Sequence, residues 1–484
     1  MANLKTYFSN YQKPEYTKEE HPLSALYRLV GFKNGFSNQF YVYEKGKQFK
    51  KTIESQERIT KNGPLFQKEE FFVTLLNKLE LPKKKTGGSA LLNYYPYIPE
   101  LTLIGNLPSE RHNKDGTSGC WNLGNFIKEA LVHGSKDENE AKSIFNELFN
   151  ALGVSDEENV EDIFCLIISK EIKDWIDSKD EQNKWNEQDI NFTFVDWNTL
   201  HVKSPSIMLV NDIKRVLKLK KSLTRFQWIN LLSGLLRLGL PMHLIWIYRN
   251  YILVYKNIIR AFNGLAIEDK IHERMDLLYM NDDISEMRDI LLNYKKADIF
   301  IEFFISYLNE KSIKDPSFFV FKNLDDQKKF YYEIEKIDLK NVLWKNEFFK
   351  AFQLELEKES KELNITKSAL KNRDWFIKHI MEQGSAEGLK HKKELDQYFW
   401  FKSYGRTTKL CPGSGQSILF AFLASKNNSY CSLKELLNHL KEYGIGVHND
   451  SNNQLITNLN LMGLITDNPD SDSGLTITNP LIQL

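Results

Sequence analysis

The chain has 484 residues, 42% of them apolar and 13% aromatic; that excludes an intrinsically disordered protein and allows roughly two to four domains, each with its own core. Lys and Arg total 65 against 64 Asp and Glu, a net charge of +1, which excludes a nucleic-acid coat protein and confines any polyanion contact to a local patch. The four cysteines, Cys120, Cys165, Cys411 and Cys431, form no CxxC pair, so free thiols in a reducing compartment are expected.

Residues Met1 to Lys18 are polar and aromatic without an apolar signal core, which predicts no export and a cytoplasmic protein. The run Phe40-Tyr41-Val42-Tyr43 reads as a short strand, and Gln67 to Leu79 as an amphipathic helix. Pro82 to Gly88 reads as a boundary. The stretch Tyr94 to Pro99 carries two prolines and cannot be regular helix. A glycine-rich loop, Arg111 to Gly124, follows.

From there helices dominate: Asn125–His133, Lys136–Leu152, Asn159–Ser178 and Asn211–Leu223. The most apolar stretch, Phe226 to Tyr255, is broken by Asn230, Arg237, Gly239, Pro241, His243 and Arg249. That is too polar for a lipid-spanning helix. Two buried helices are expected, with Pro241 in the first turn of the second. Further helices are predicted over Ile267–Leu278, Ile284–Leu308, Asp325–Glu335, Asn346–Leu363 and Lys367–Gln383. The expected division is a mixed α/β region over 1–85, a loop-rich then helical region over 86–200, a helical domain over 201–400 and a last domain over 401–484.

In that last segment Ser414–Ala424 reads as a first helix. Ser432 with Glu435 forms a capping box opening a second, Leu433 to Tyr443, which Gly444 stops. A third runs from about Ser451 to Met462 and is closed by Gly463. Strands follow at Leu464–Thr466 and Leu475–Thr478, around a turn rich in Asp, Asn, Ser and Gly. Three helices and a β-hairpin predict a winged helix-turn-helix domain. The fold class expected for the whole chain is mainly α: a multi-helical body, a small mixed α/β N-terminal part and this winged domain.

A DNA-reading third helix needs cations for phosphates and polar groups for base edges. Here Asn453, Gln454, Thr457 and Asn458 could read adenine edges, but no Lys or Arg occurs after Lys441. Residues 413–484 hold three lysines against six acidic residues, a net charge of −3. Such a domain binds duplex DNA poorly by itself, so a protein-docking role stands beside DNA readout. Lys402, Arg406 and Lys409, just ahead of it, are the nearby cations. A stronger basic stripe, Lys214, Lys218, Lys221 and Arg225, has the spacing of one helix face, with Val216 and Leu223 on the other side. It suits a nucleic-acid backbone, an acidic partner or simply solvent.

Chemistry-bearing patterns are weak. The Arg111–Cys120 loop lacks the order of a phosphate-cradling loop, and Cys120 with His112 or His133 is a nucleophile and base by residue type only. Cys411, Cys431, His439 and His448 match no zinc spacing. Glu171-Ile172-Lys173 resembles a nuclease Glu-x-Lys by letters but falls in a helical run. No catalytic residue, metal or cofactor is therefore expected.

The C-terminal residues carry one resemblance. Gly405-Arg406, Leu433-Lys434-Glu435-Leu436 through Tyr443-Gly444-Ile445, Asn458 through Ile465, and Asp470 through Gly474 resemble the tail of the G subunit of bacterial DNA-phosphorothioation-dependent restriction systems (the DptG or DndG type). The resemblance implies a non-catalytic accessory subunit working with ATPase- and helicase-like partners against invading DNA that lacks backbone sulfur. The rival expectation is a winged-helix transcriptional regulator that binds double-stranded DNA.

Overall fold

The computed structural model describes residue 26 and residues 122–152, 204–263, 265, 278–280, 285–310, 346–354, 399–404, 407–426, 428–447, 454–467 and 475–481. The expected strand at 40–43, the helices at 67–79, 159–178, 325–335 and 367–383, and the 82–88 and 94–99 segments lie outside the described residues. So does the Arg111–Gly124 loop except for its last three residues. The described part is mainly helical.

Helices α1 (Asn122–Gly134) and α2 (Glu138–Leu152) are joined by a short turn. Asp137 Oδ1 accepts the amide of Glu140 at 2.8 Å while Glu140 Oε2 accepts the amide of Lys136 at 2.6 Å, so orphan amides at the start of α2 are satisfied. Ala141, Ile144, Phe145, Leu148 and Leu152 recur at helical spacing and are all buried.

Helix α3 spans Ser206–Lys218 and tightens into a 3-10 turn, Leu219–Lys221. The single helix expected over Asn211–Leu223 is thus cut short. The cause is a second capping box: Gln227 Oε1 accepts the amide of Thr224 at 3.1 Å, and Thr224 Oγ1 accepts the amide of Gln227 at 3.3 Å. That box starts a new helix at Arg225. Trp228 Nε1 donates to the Val216 carbonyl at 2.9 Å, serving an acceptor in the last turn of α3.

The new helix, α4, runs unbroken over 38 residues, Arg225–Phe262, with Pro241 inside it. Two helices had been expected here. An interior proline costs about 3 kcal/mol by removing a donor and crowding the preceding turn. Around it Leu238, Leu240, Met242, Leu244 and Ile245 are all fully buried, and each such side chain contributes about 1.5–3 kcal/mol by leaving water. Burial outweighs the proline, and the helix continues. Gln227–Arg260 is long and apolar enough to cross a membrane, but 94% of its most apolar window is buried inside the molecule.

Strand β1 is Leu278–Met280, so Leu278, last residue of the helix expected over Ile267–Leu278, is extended, while 267–277 lie outside the described residues. Helix α5 (Ser285–Glu310) packs along α4, with Tyr248 stacked on Tyr294 at 4.0 Å. Helical residues 346–354 (α6) add Phe348 and Phe352, each edge-on to Phe300.

The C-terminal part begins with a hairpin, β2 (Phe399–Tyr404) and β3 (Thr407–Pro412). There follow α7 (Ser414–Ser425), β4 (Tyr430–Ser432), α8 (Leu433–Glu442), β5 (Ile445–Val447), α9 (Gln454–Leu461), β6 (Ile465–Asp467) and β7 (Leu475–Thr478). Strands β4, β7 and β6 form an antiparallel sheet with β7 in the middle. Ser432 and Glu435 form the expected capping box. Gly444 and Gly463, at φ of 82° and 70°, adopt the left-handed conformation that ends α8 and α9. Strand β5 pairs in parallel with β1, Leu278 opposite Ile445, which stitches this part to the helical body.

Candidate functional site

The basic stripe does not lie on one helix. Lys214 and Lys218 belong to α3, Lys221 to the 3-10 turn and Arg225 to the start of α4. Two of the four serve the body itself. Lys214 Nζ bonds Glu140 Oε1 at 2.5 Å, and Arg225 Nη2 donates to the Leu152 carbonyl at 2.5 Å. With Lys220 Nζ 3.4 Å from the Asn150 carbonyl, cations meet the exposed carbonyls at the C-terminus of α2, where the helix dipole favours positive charge. Lys218 and Lys221 remain exposed.

In the C-terminal part, Arg406 and Asn453 lie outside the described residues. Lys409 sits on β3 directly opposite Lys402 on β2. The amide of Asn458 points inward, donating to the Pro412 carbonyl at 2.8 Å and to Ser417 Oγ at 3.3 Å. Gln454 donates to Asn458 Oδ1 at 2.9 Å. Thr457 is exposed, as are Asn460 and Leu461. Cys411 and Cys431 are buried free thiols, and burial raises the Cys431 thiol above its usual value. His112, Cys120 and His448 lie outside the described residues.

Two polar clusters were not foreseen from sequence. The first joins the body to the C-terminal part around Asp212, which is 1% exposed. Its Oδ1 accepts Arg215 Nη1 at 3.0 Å; its Oδ2 accepts Tyr443 OH at 2.8 Å and faces His439 Nε2 at 2.9 Å. A carboxylate only accepts, so His439 carries its proton on Nε2. Burial, followed by the charge and hydrogen bond of Asp212, holds the Tyr443 hydroxyl well above its usual value of 10, so it stays a donor. Arg215 also donates to the Phe422 carbonyl at 3.4 Å and lies over the Phe422 ring.

The second cluster is Glu129, His133 and His243, exposed by only 3%, 3% and 0%. Glu129 and His133 stand one helical turn apart on α1, so they share a face. His243 comes from the middle of α4. Glu129 Oε1 is 3.7 Å from His133 Nε2 and 3.8 Å from His243 Nε2. His243 Nδ1 is 3.1 Å from Ser204 Oγ, whereas its Nε2 has no hydrogen-bond partner. Burial, then the neighbouring His133, drives His243 well below the ordinary histidine range, so its ring is neutral. An unsatisfied buried polar atom costs about 1–3 kcal/mol. The ring is nonetheless held firmly, with Trp246 stacked on it at 5.6 Å and Phe126 at 5.4 Å. Beside the cluster, burial pushes Lys128 down to about 8.

The signal that could have pointed to this cluster is Glu129-x-x-x-His133 on a predicted helix, together with a histidine in the most apolar stretch of the chain. No family model matches the chain, and a search of curated proteins finds no similar sequence.

Proposed function

We propose that residues 401–484 are a winged helix-turn-helix domain used for protein docking. On this reading the chain is a cytoplasmic, non-catalytic accessory subunit of a bacterial multi-protein DNA restriction or antiviral system. Its partners would be ATPase- or helicase-like sister subunits. The order α7, β4, α8, α9, β6, β7, with β7 between β4 and β6, supports the domain assignment.

The docking role rests on the state of α9, the helix that would enter a major groove. Of its three amides, Gln454 and Asn458 are engaged within the domain, which leaves Asn460 as the one turned outward. What it offers outward is Thr457, Asn460 and Leu461, the last 80% exposed. An unshielded leucine on an acidic domain suits an apolar anchor in a protein interface better than contact with phosphates.

The rival reading, a DNA-binding regulator, draws on Lys218 and Lys221, exposed at the end of α3. Co-expression with candidate ATPase- or helicase-like partner proteins separates the two. A stable complex that Leu461→Asp disrupts is the expected result. Tight, sequence-specific duplex binding by the isolated chain at physiological salt would overturn the docking role.

A further inference from the structure

We propose that Glu129, His133 and His243 form a binding site for a first-row divalent metal ion of the zinc class, clamped between α1 and α4. The inference is independent of the docking role.

One ligand atom from each residue lies within 4.8 Å of the other two. A four-coordinate zinc with nitrogen and oxygen ligands at about 2.0–2.1 Å spaces its donors by roughly 3.4 Å. The two carboxylate–imidazole separations, 3.7 and 3.8 Å, need a contraction of a few tenths of an ångström, and the two imidazoles, within 4.8 Å, must close further by ring rotation. The carboxylate–imidazole separations are too long for hydrogen bonds, which reach about 3.2 Å for nitrogen and oxygen. The donor atoms thus stand at the spacing of ion pairs, close to the spacing of ligands around one ion.

The surroundings of His243 point the same way. Its Nδ1 meets Ser204 Oγ, and its Nε2, wholly buried and without a hydrogen-bond partner, is aimed at the Glu129 carboxylate. Ser204 Oγ is itself placed by the backbone amide of Ser206 at 3.1 Å. An imidazole whose far nitrogen is held by a polar neighbour, leaving the other lone pair directed inward, is the usual arrangement around a protein-bound metal. Stacking on Trp246 fixes the ring plane.

The donor set selects the class of ion. Two imidazoles and one carboxylate suit zinc and its first-row neighbours; calcium and magnesium prefer oxygen ligands throughout. Three protein ligands leave a position for water. With every ligand buried, the ion would act as a rivet between the two helices.

The test uses the untagged full chain, stripped with chelator and titrated with Zn²⁺ or Co²⁺. One metal per chain, measured by plasma mass spectrometry, and the visible absorption of tetrahedral cobalt are expected. Glu129→Gln and His243→Gln should weaken binding by at least about 100-fold. Ser204→Ala, which orients a ligand without being one, should weaken it about 10–100-fold and guards against a ligand variant that fails to fold. The proposal is overturned if the wild-type chain retains no metal. Wild-type cobalt affinity in Glu129→Gln and His243→Gln, or a cobalt–thiolate band reporting ligation by cysteine, overturns it as well.

Discussion

His439 Nε2 lies 2.9 Å from Oδ2 of Asp212, so a histidine of α8 meets a buried carboxylate of α3 from 227 residues earlier in the chain. With Tyr443 donating to the same oxygen, this contact joins the C-terminal part to the helical body through one charged group. Removing one partner of such a buried group leaves the others desolvated, which costs more than the pairing itself contributes. Asp212→Ala should therefore destabilise the protein by about 3–5 kcal/mol. Tyr443→Phe, which deletes one hydrogen bond to a charge, should cost about 1.5–3 kcal/mol. Chemical denaturation checks both; a loss below about 0.5 kcal/mol for Asp212→Ala, typical of a surface change, would show that the contact is incidental.

The same tyrosine gives a pH dependence at the alkaline end. Its folded pKa is raised above the ordinary value of 10. The stabilisation is complete below that value and is lost as pH climbs through the folded pKa, because the unfolded phenol releases its proton first. The stability advantage of wild type over Tyr443→Phe should shrink above about pH 10. Denaturation curves for the pair at neutral and alkaline pH measure it.

The basic residues around α2 should divide into two groups. Lys214→Ala and Arg225→Ala should each cost about 1 kcal/mol, since their partners on α2 lose a bond. Lys218→Ala and Lys221→Ala should stay within about 0.5 kcal/mol. Glu140 supplies the titration. Burial raises its carboxyl, but the hydrogen bond from Lys214, the Lys136 amide and the charges of both lysines outweigh that, and the net shift is below 4.5. Its contribution is present above 4.5 and lost as pH falls through the folded value. Glu140→Gln should cost about 0.5–1 kcal/mol at neutral pH, a modest figure because the pair is partly exposed. The gap to wild type should narrow as pH falls below 4.5 through the lowered folded value.

Gly134 ends α1 where it meets α3. A Cβ there would collide with the backbone carbonyl of Ser206 and with Val210 Cγ2. Alanine elsewhere in a helix gains about 0.5–1 kcal/mol over glycine, but overpacking of this kind costs about 1–3 kcal/mol. Gly134→Ala should lower the melting temperature, where the same change at an open helix site would raise it.

Local structure was legible wherever it depends on neighbours in sequence. The Ser432–Glu435 capping box, the stops at Gly444 and Gly463 and the strand Leu475–Thr478 all stand where spacing and residue type predict them. The hairpin β2–β3 was also within reach. Its register puts Tyr404 opposite Thr407, and in sequence a glycine-led pair between two such runs is a hairpin signal. The Thr224–Gln227 box could have been read in the same way, and would have split the lysine stripe between two helices in advance.

By itself, then, the sequence determined the C-terminal helices near their observed places, the caps and glycine stops that bound them, and the acidic, cation-poor character of that part. These follow from periodicity, capping and charge, which act over a few residues. Only the tertiary structure decided that Pro241 sits inside one long helix, because the cost of a proline is local while the burial that offsets it comes from the surrounding elements. It alone brought β1 beside β5, Asp212 beside His439 and Tyr443, and His243 beside Glu129 and His133. Each of those meetings depends on packing between segments far apart in the chain, and no spacing rule records it.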